Sequence, residues 1–166
     1  MSVLVAYATH SGATLTLAET VAATLTEREI PSDLVDVTRD PDPGAYDAVV
    51  LGAPVRAESI DKPAVSWVQK HRASVLERPF AFFSCSGSAS DPAKGGRQKA
   101  TDAFLDRIDF SPVAVRNFPG WVLMDRLPVH ERLLLTSMRT PTGDFRDLPA
   151  VAEWTREIAP LLRRGS

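Results

Sequence analysis

The stretch Val3-Leu4-Val5-Ala6-Tyr7-Ala8-Thr9-His10-Ser11-Gly12-Ala13-Thr14 decides the fold. Its first six residues are an unbroken β-prone run, the pattern of a strand buried on both faces. Thr9-His10-Ser11-Gly12 interrupts that run. From Ala13 to Arg28 the period changes: Leu17, Val21 and Leu25, with Ala18 and Ala22, recur at the three-to-four spacing of a helix. A doubly buried strand that feeds a helix opens a parallel α/β unit.

The same alternation continues outward. Asp33–Val37 reads as a short strand and Thr38–Tyr46, rich in proline and aspartate, as a loop. Ala48–Ala53 is a third apolar strand, Pro54–Asp61 a loop and Lys62–Leu76 a helix. Pro79–Ser84 is a fourth strand, Cys85–Gly96 a loop of small and polar residues, and Arg97–Arg107 a helix. Pro112–Phe118 gives a fifth strand, with a short continuation near Trp121–Leu123. Arg126–Met138 and Asp147–Arg163 are the last two helices expected. Right-handed crossovers turn this order into a three-layer, doubly wound, five-stranded parallel sheet. Ligands of such sheets bind beyond the carboxyl ends of the strands, which selects the loops after strands one, three and four.

Composition narrows the class. The 166 residues are 44% hydrophobic and 24% charged, enough for one domain with its own core. A formal net charge of −2 offers no field to recruit nucleic acid. The single cysteine, Cys85, closes no internal disulfide, and no Cys/His grouping has metal-ligand spacing. No apolar run approaches the roughly 18–20 residues of a membrane span, and Met1–Ala8 lacks a charged leader region, so a cytoplasmic protein is expected.

The first loop packs the hydroxyls of Thr9, Ser11 and Thr14 and one glycine, Gly12, into six residues at a helix start. Helix-start amides lack intrahelical partners and attract anions. Gly12 lets backbone wrap closely around a phosphate. The loop has neither the Gly-Lys-Ser/Thr of a P-loop nor a GxGxxG fingerprint. An ordinary N-cap by Ser11 or Thr9 is the competing reading.

Thr9, Ser11, Gly12 and Thr14 match, position by position, the T/S-x-T/S-G-x-T phosphate loop of the flavodoxin superfamily, which this sequence resembles. Tyr46–Arg56 is similar to the third strand and flavin-side loop of one branch, the menaquinone-dependent protoporphyrinogen IX dehydrogenases. Trp154–Ala159 resembles that branch's final helix, and Trp121–Arg146 stands where the branch carries a long insertion. The resemblance implies one flavodoxin-like domain over residues 1–166, strand order 2-1-3-4-5, an insertion at about 121–146 and FMN as cofactor. It places Thr9, His10, Ser11, Gly12, Ala13 and Thr14 around the phosphate. Ala53, Pro54, Val55 and Arg56 would line one side of the flavin ring, and Ser84, Cys85, Ser86 and Gly87 the other.

The residues leave choices open. Arg56 is either a cation at the polar edge of the ring or a solvated loop arginine. Cys85 is either a flavin contact or, in the weightier reading, a small buried filler, and no base is paired with it. Glu58 and Asp61 read as solvent-facing or helix-start carboxylates. His71 is expected to cap a helix end or sit in water. Neither Pro54–Asp61 nor Ser84–Gly96 contains Phe, Tyr or Trp, so ring stacking cannot come from them, and Trp121 is the candidate ring from the insertion. The insertion reads as a lid, a dimer contact, a surface meeting membrane quinone, or a helix folded onto the core. The resemblance favours an FMN oxidoreductase with a small-molecule redox substrate and a quinone acceptor. A flavodoxin-type electron carrier and a flavin-free interaction module are the alternatives. No acid or base is assigned. No transmembrane segment is expected; peripheral membrane contact and a homo-oligomer stay open.

Overall fold

The computed structural model describes residues 1–94, 96–139 and 142–163. The expected loop Cys85–Gly96, the insertion and the 1–166 span thus each include positions outside the described residues.

Five parallel strands make the frame: β1 (Val3–Tyr7), β2 (Ser32–Asp36), β3 (Ala48–Arg56), β5 (Phe80–Ser86) and β6 (Ala114–Pro119). Their order is β2-β1-β3-β5-β6, with a two-residue strand β4 (Ser59–Ile60) paired to β3. Counting the parallel strands alone, this is the expected 2-1-3-4-5. Val5 lies beside Leu34 on one side and Val50 on the other, and Val50 beside Ala81.

Period-two alternation sends the strand side chains to two separate cores. Val3, Val5, Val50, Ala81 and Phe83 face helices α1 (Ala13–Glu27) and α6 (Leu148–Ile158). Leu4, Ala6, Val49, Leu51, Phe80 and Phe82 face α2 (Lys62–Lys70), α3 (Arg72–Leu76) and α4 (Lys99–Ile108). Both faces are therefore covered, as all-apolar strands require. Gly52 has a packing reason: a Cβ there would lie 2.2 Å from Phe83 Cζ. The Phe83 ring occupies that space and meets Phe118 and Trp154 edge-on, at centroid distances of 6.0 and 5.9 Å.

Several boundaries differ from the sequence reading. The expected loop Pro54–Asp61 is mostly strand, because β3 continues through Pro54 to Arg56 and turns back as β4. Proline is tolerated because β1 has already ended beside Gly52, whose carbonyl takes the Ala8 N–H. Two residues on, Pro54 faces the side that β1 has left, where β4 begins to pair and its carbonyl takes the Asp61 N–H at 3.0 Å, so only one ladder bond is lost for want of the proline N–H. The two-residue turn, Ala57-Glu58, has both φ angles positive, 46° and 61°. The helix expected over Lys62–Leu76 breaks at His71, which caps α2, starts α3 and hydrogen-bonds Asp40 at 2.7 Å. The expected continuation near Trp121–Leu123 does not join the main sheet. It forms β7 (Trp121–Val122), antiparallel to β8 (Gly143–Asp144) in a separate two-stranded sheet. Between them lies α5 (Val129–Ser137), shorter than expected because Pro128 precedes its first turn.

Candidate functional site at the carboxyl ends of the strands

The loop after β1 meets the amino terminus of α1. Gly12 stands at the N-cap with φ 96°, a conformation that glycine adopts readily, and no side chain caps the helix. The Gly12 N–H donates to Thr9 Oγ1 at 3.0 Å, which fixes the turn and leaves the Thr9 O–H free to donate outward. The first-turn amides of a fifteen-residue helix thus open on this loop without a side-chain acceptor. Thr14 behaves differently from its neighbours: it is buried, and its side chain hydrogen-bonds Cys85. Its hydroxyl is thus engaged inside the domain and not offered to a phosphate as the pattern led one to expect.

Trp121 lies against this loop. Its Nε1–H donates to the carbonyl and hydroxyl of Ser11, at 3.2 and 3.1 Å. The guanidinium carbons of Arg146 and Arg126 lie 4.2 and 4.8 Å from the Trp121 ring centroid, in cation–π range. Arg146 is held by Asp144 through two hydrogen bonds, at 2.8 and 2.7 Å, and donates to Thr16 Oγ1 at 3.0 Å. That grip, with a backbone bond from Arg146, keeps the Asp144 carboxyl down at about 2. Trp121 thus contributes to the site as a brace of the first loop with guanidiniums on its ring, and not as a free stacking platform. Loop one, which has no lysine or arginine of its own, receives positive charge from the insertion.

The third loop is set from beneath by side-chain hydrogen bonds. Ser84 Oγ and Thr101 Oγ1 both donate to Asn117 Oδ1, at 2.6 and 2.7 Å, and Asn117 Nδ2 donates to the Gly96 carbonyl at 2.8 Å. Gln98 Nε2 donates to the Ser86 and Ser88 hydroxyls at 3.0 and 2.8 Å. The strand tip is tied down on α4 and β6 before any ligand is considered. Cys85 is buried, and desolvation pushes its thiol up to about 12 despite the Thr14 contact. It stays protonated and fills space, in line with the filler reading.

The insertion crosses loops one and two through one carboxylate. Glu131 of α5 accepts from His10 Nε2 at 2.9 Å and from Arg56 Nη2 at 2.9 Å. Burial raises its carboxyl, but the bonds from His10 and Arg56 prevail and hold it below the ordinary range. Arg56 also lies 3.7 Å from Asp61, at the start of α2. No residue of α5 is buried, so the helix is not folded onto the core. Val129, Leu133, Leu134 and Met138 are 64, 67, 58 and 66% exposed.

The three loops therefore lie together at the carboxyl ends of the strands. The hydroxyls, open amides and nearby guanidinium of loop one have the chemistry of a seat for a phosphate monoester. Sequence reasoning missed Glu131, Asn117, Gln98 and the placement of Arg126 and Arg146. Nothing in their spacing signals their partners, which for Glu131 and Arg146 lie 121 and 130 positions away at His10 and Thr16. Among the described residues no group of His, Cys, Asp and Glu is suited to a metal ion, and no helix is long and apolar enough to cross a membrane.

Comparison with known proteins agrees with this geometry. Residues 4–148 match the family described as flavodoxin domain. The chain is 28% identical over 174 aligned residues to protoporphyrinogen IX dehydrogenase [quinone] of Escherichia coli strain K12, covering 97% of this chain and 96% of that protein. Among solved structures it is similar to a flavodoxin from the domain Archaea, with TM-score 0.63, 12% identity and coverage of 99 and 100%. It is also similar to oxidised flavodoxin 1 from Bacillus cereus, with TM-score 0.60, 16% identity and coverage of 98 and 100%. At these identities the structural likeness speaks for the fold alone.

Proposed function

Because the chain belongs to the flavodoxin domain family, we propose that it is an FMN-dependent oxidoreductase that oxidises a porphyrinogen and delivers the electrons to a quinone. The observation that carries the cofactor assignment is the uncapped amino terminus of α1, turned open by Gly12 at φ 96°. Thr9 and Ser11 supply hydroxyl donors there, and Gly12, Ala13 and Thr14 supply main chain. The flavin ring would lie between Ala53–Arg56 and Ser84–Gly87. With no aromatic side chain in either span, its contacts are Val55, the backbone and the small residues at the end of β5. FMN, when bound, takes two electrons from a reduced organic donor and passes them to an acceptor.

The protein's own residues bind, orient and tune. Arg56 brings positive charge to the edge of the ring, which favours negative charge arising there. The hydrogen bonds that Asn117 accepts from Ser84 and that Gln98 donates to Ser86 hold the third loop fixed. The porphyrinogen and the quinone are carried over from the dehydrogenase to which the chain is 28% identical. The exposed apolar residues of α5, with Arg132 and Arg139 beside them, suit the surface of a membrane in which a quinone dissolves.

Heat release and chromatography of the bound chromophore test the cofactor. FMN is the expected product, and a colourless protein that stays colourless after incubation with FMN rejects the reading. Quinone-dependent oxidation of protoporphyrinogen IX by the FMN-loaded protein tests the reaction.

A further inference from the structure

A guanidinium and an imidazole from different loops converge on one carboxylate at the mouth of the site. Arg56, at the tip of β3, and His10, beside the phosphate loop, grip the two oxygens of Glu131 at 2.9 Å each. A carboxylate only accepts hydrogen bonds, so both side chains donate. The acid arrives on α5, which has no buried residue and three large apolar side chains, Val129, Leu133 and Leu134, in solvent. Apolar packing does little to hold this helix over the loops. Part-exposed ion pairs contribute little net stability, so one carboxylate replaces another at small cost.

We infer that Arg56 and His10 form a binding subsite for a carboxylate of the reduced substrate, and that Glu131 is a place-holder which that carboxylate displaces. The inference rests on the reading of the site as an FMN-dependent porphyrinogen oxidase. A porphyrinogen bearing propionate side chains has the required group. Arg56 and His10 would then set specificity for an acid over its ester. Release of Glu131 would free α5 from both loops when substrate arrives.

The test uses FMN-saturated protein and two probes, protoporphyrin IX and its dimethyl ester, with binding followed by porphyrin fluorescence. The wild type should bind the acid more tightly than the ester. Glu131→Gln, which weakens the internal competitor, should tighten the acid by about fivefold, the upper end for a part-exposed ion pair, and leave the ester unchanged. Arg56→Gln should erase the preference for the acid. Hydrogen exchange supplies a second readout: the amides of residues 129–137 should exchange faster in Glu131→Gln, and in the wild type on adding the acid but not the ester. Equal affinity of the wild type for acid and ester overturns the inference, as does a Glu131→Gln variant with unchanged acid affinity and unchanged exchange. Failure of the wild type to take up FMN at all sinks the functional reading instead, so the two failures are distinct.

Discussion

The indole N–H of Trp121 is shared between the carbonyl and the hydroxyl of Ser11, at 3.2 and 3.1 Å, across 110 positions of sequence. This contact joins the insertion to the loop that opens α1, and it makes the shape of that loop depend on residues far along the chain.

Trp121→Phe keeps the aromatic body and removes the donor. The loss of one such bond costs about 0.5–1.5 kcal/mol, which for a chain of this size lowers the melting temperature by roughly 1–6 °C. Trp121→Ala also removes the ring that stands 3.2 Å from the Cβ position of Gly12. It should cost about 2–3 kcal/mol, less than a fully buried tryptophan, and weaken FMN binding in a fluorescence titration. Identical melting curves for Trp121→Ala and the wild type would show that the brace is idle.

The turn at Ala57-Glu58 carries two positive φ angles on residues with a Cβ. Two-residue hairpins of this kind favour Asn-Gly, because asparagine and glycine tolerate the left-handed region. The double change Ala57→Asn, Glu58→Gly should raise stability by about 1–2 kcal/mol, seen as a higher urea midpoint at constant slope. A midpoint that falls would mean that the Ala57 or Glu58 side chain contributes more than its backbone loses.

How far the sequence was readable follows from where the information sits. Val3–Ala8 and Ala48–Ala53 announce buried strands because nearly every position is apolar, whereas the order of the strands comes from the resemblance to flavodoxins. Pro54 misleads because a proline ends most strands, yet here it stands where the neighbouring strand has already stopped. Residues 121–146 carry no such local signal. Trp121–Leu123 reads as a continuation of the fifth strand, yet Trp121 and Val122 pair instead with Asp144 and Gly143, some twenty residues on. Thr9, Ser11 and Gly12 are legible in the sequence as two hydroxyls and a glycine at a helix start, in a pattern that resembles the phosphate loop of flavodoxins. Thr14 matches the same pattern, but its burial against Cys85 depends on the register between α1 and β5, which no motif encodes.

Asp144 gives the site an acid-sensitive clamp. Its carboxyl is held at about 2 by Arg146, below its value in an unfolded chain. A depressed carboxyl contributes its stabilisation in full above the ordinary carboxylate range, and that contribution fades as pH falls through about 2. Arg146 should therefore stay over Trp121 from pH 7 down to about 4 and loosen between about 4 and 2. The indole N–H resonance of Trp121 reports this: it should hold its position above pH 4 and move below about 3. A midpoint near 4 would mean that the clamp is not formed in solution.

The exposed face of α5 makes the last prediction. Val129, Leu133, Leu134 and Met138 stand in solvent on a helix with no buried residue, and Arg132 and Arg139 lie among them. Apolar side chains beside arginines insert at the boundary of an anionic bilayer. Replacing Leu133 and Leu134 by aspartate removes two inserting groups, each worth about 1 kcal/mol when partly buried, and adds charge that the lipid repels. Partitioning onto vesicles of anionic phospholipid should fall by at least about tenfold in a sedimentation assay. The melting temperature should hold, since neither leucine is buried in the protein itself. If the wild type stays in the supernatant at every lipid concentration, α5 does not meet a membrane.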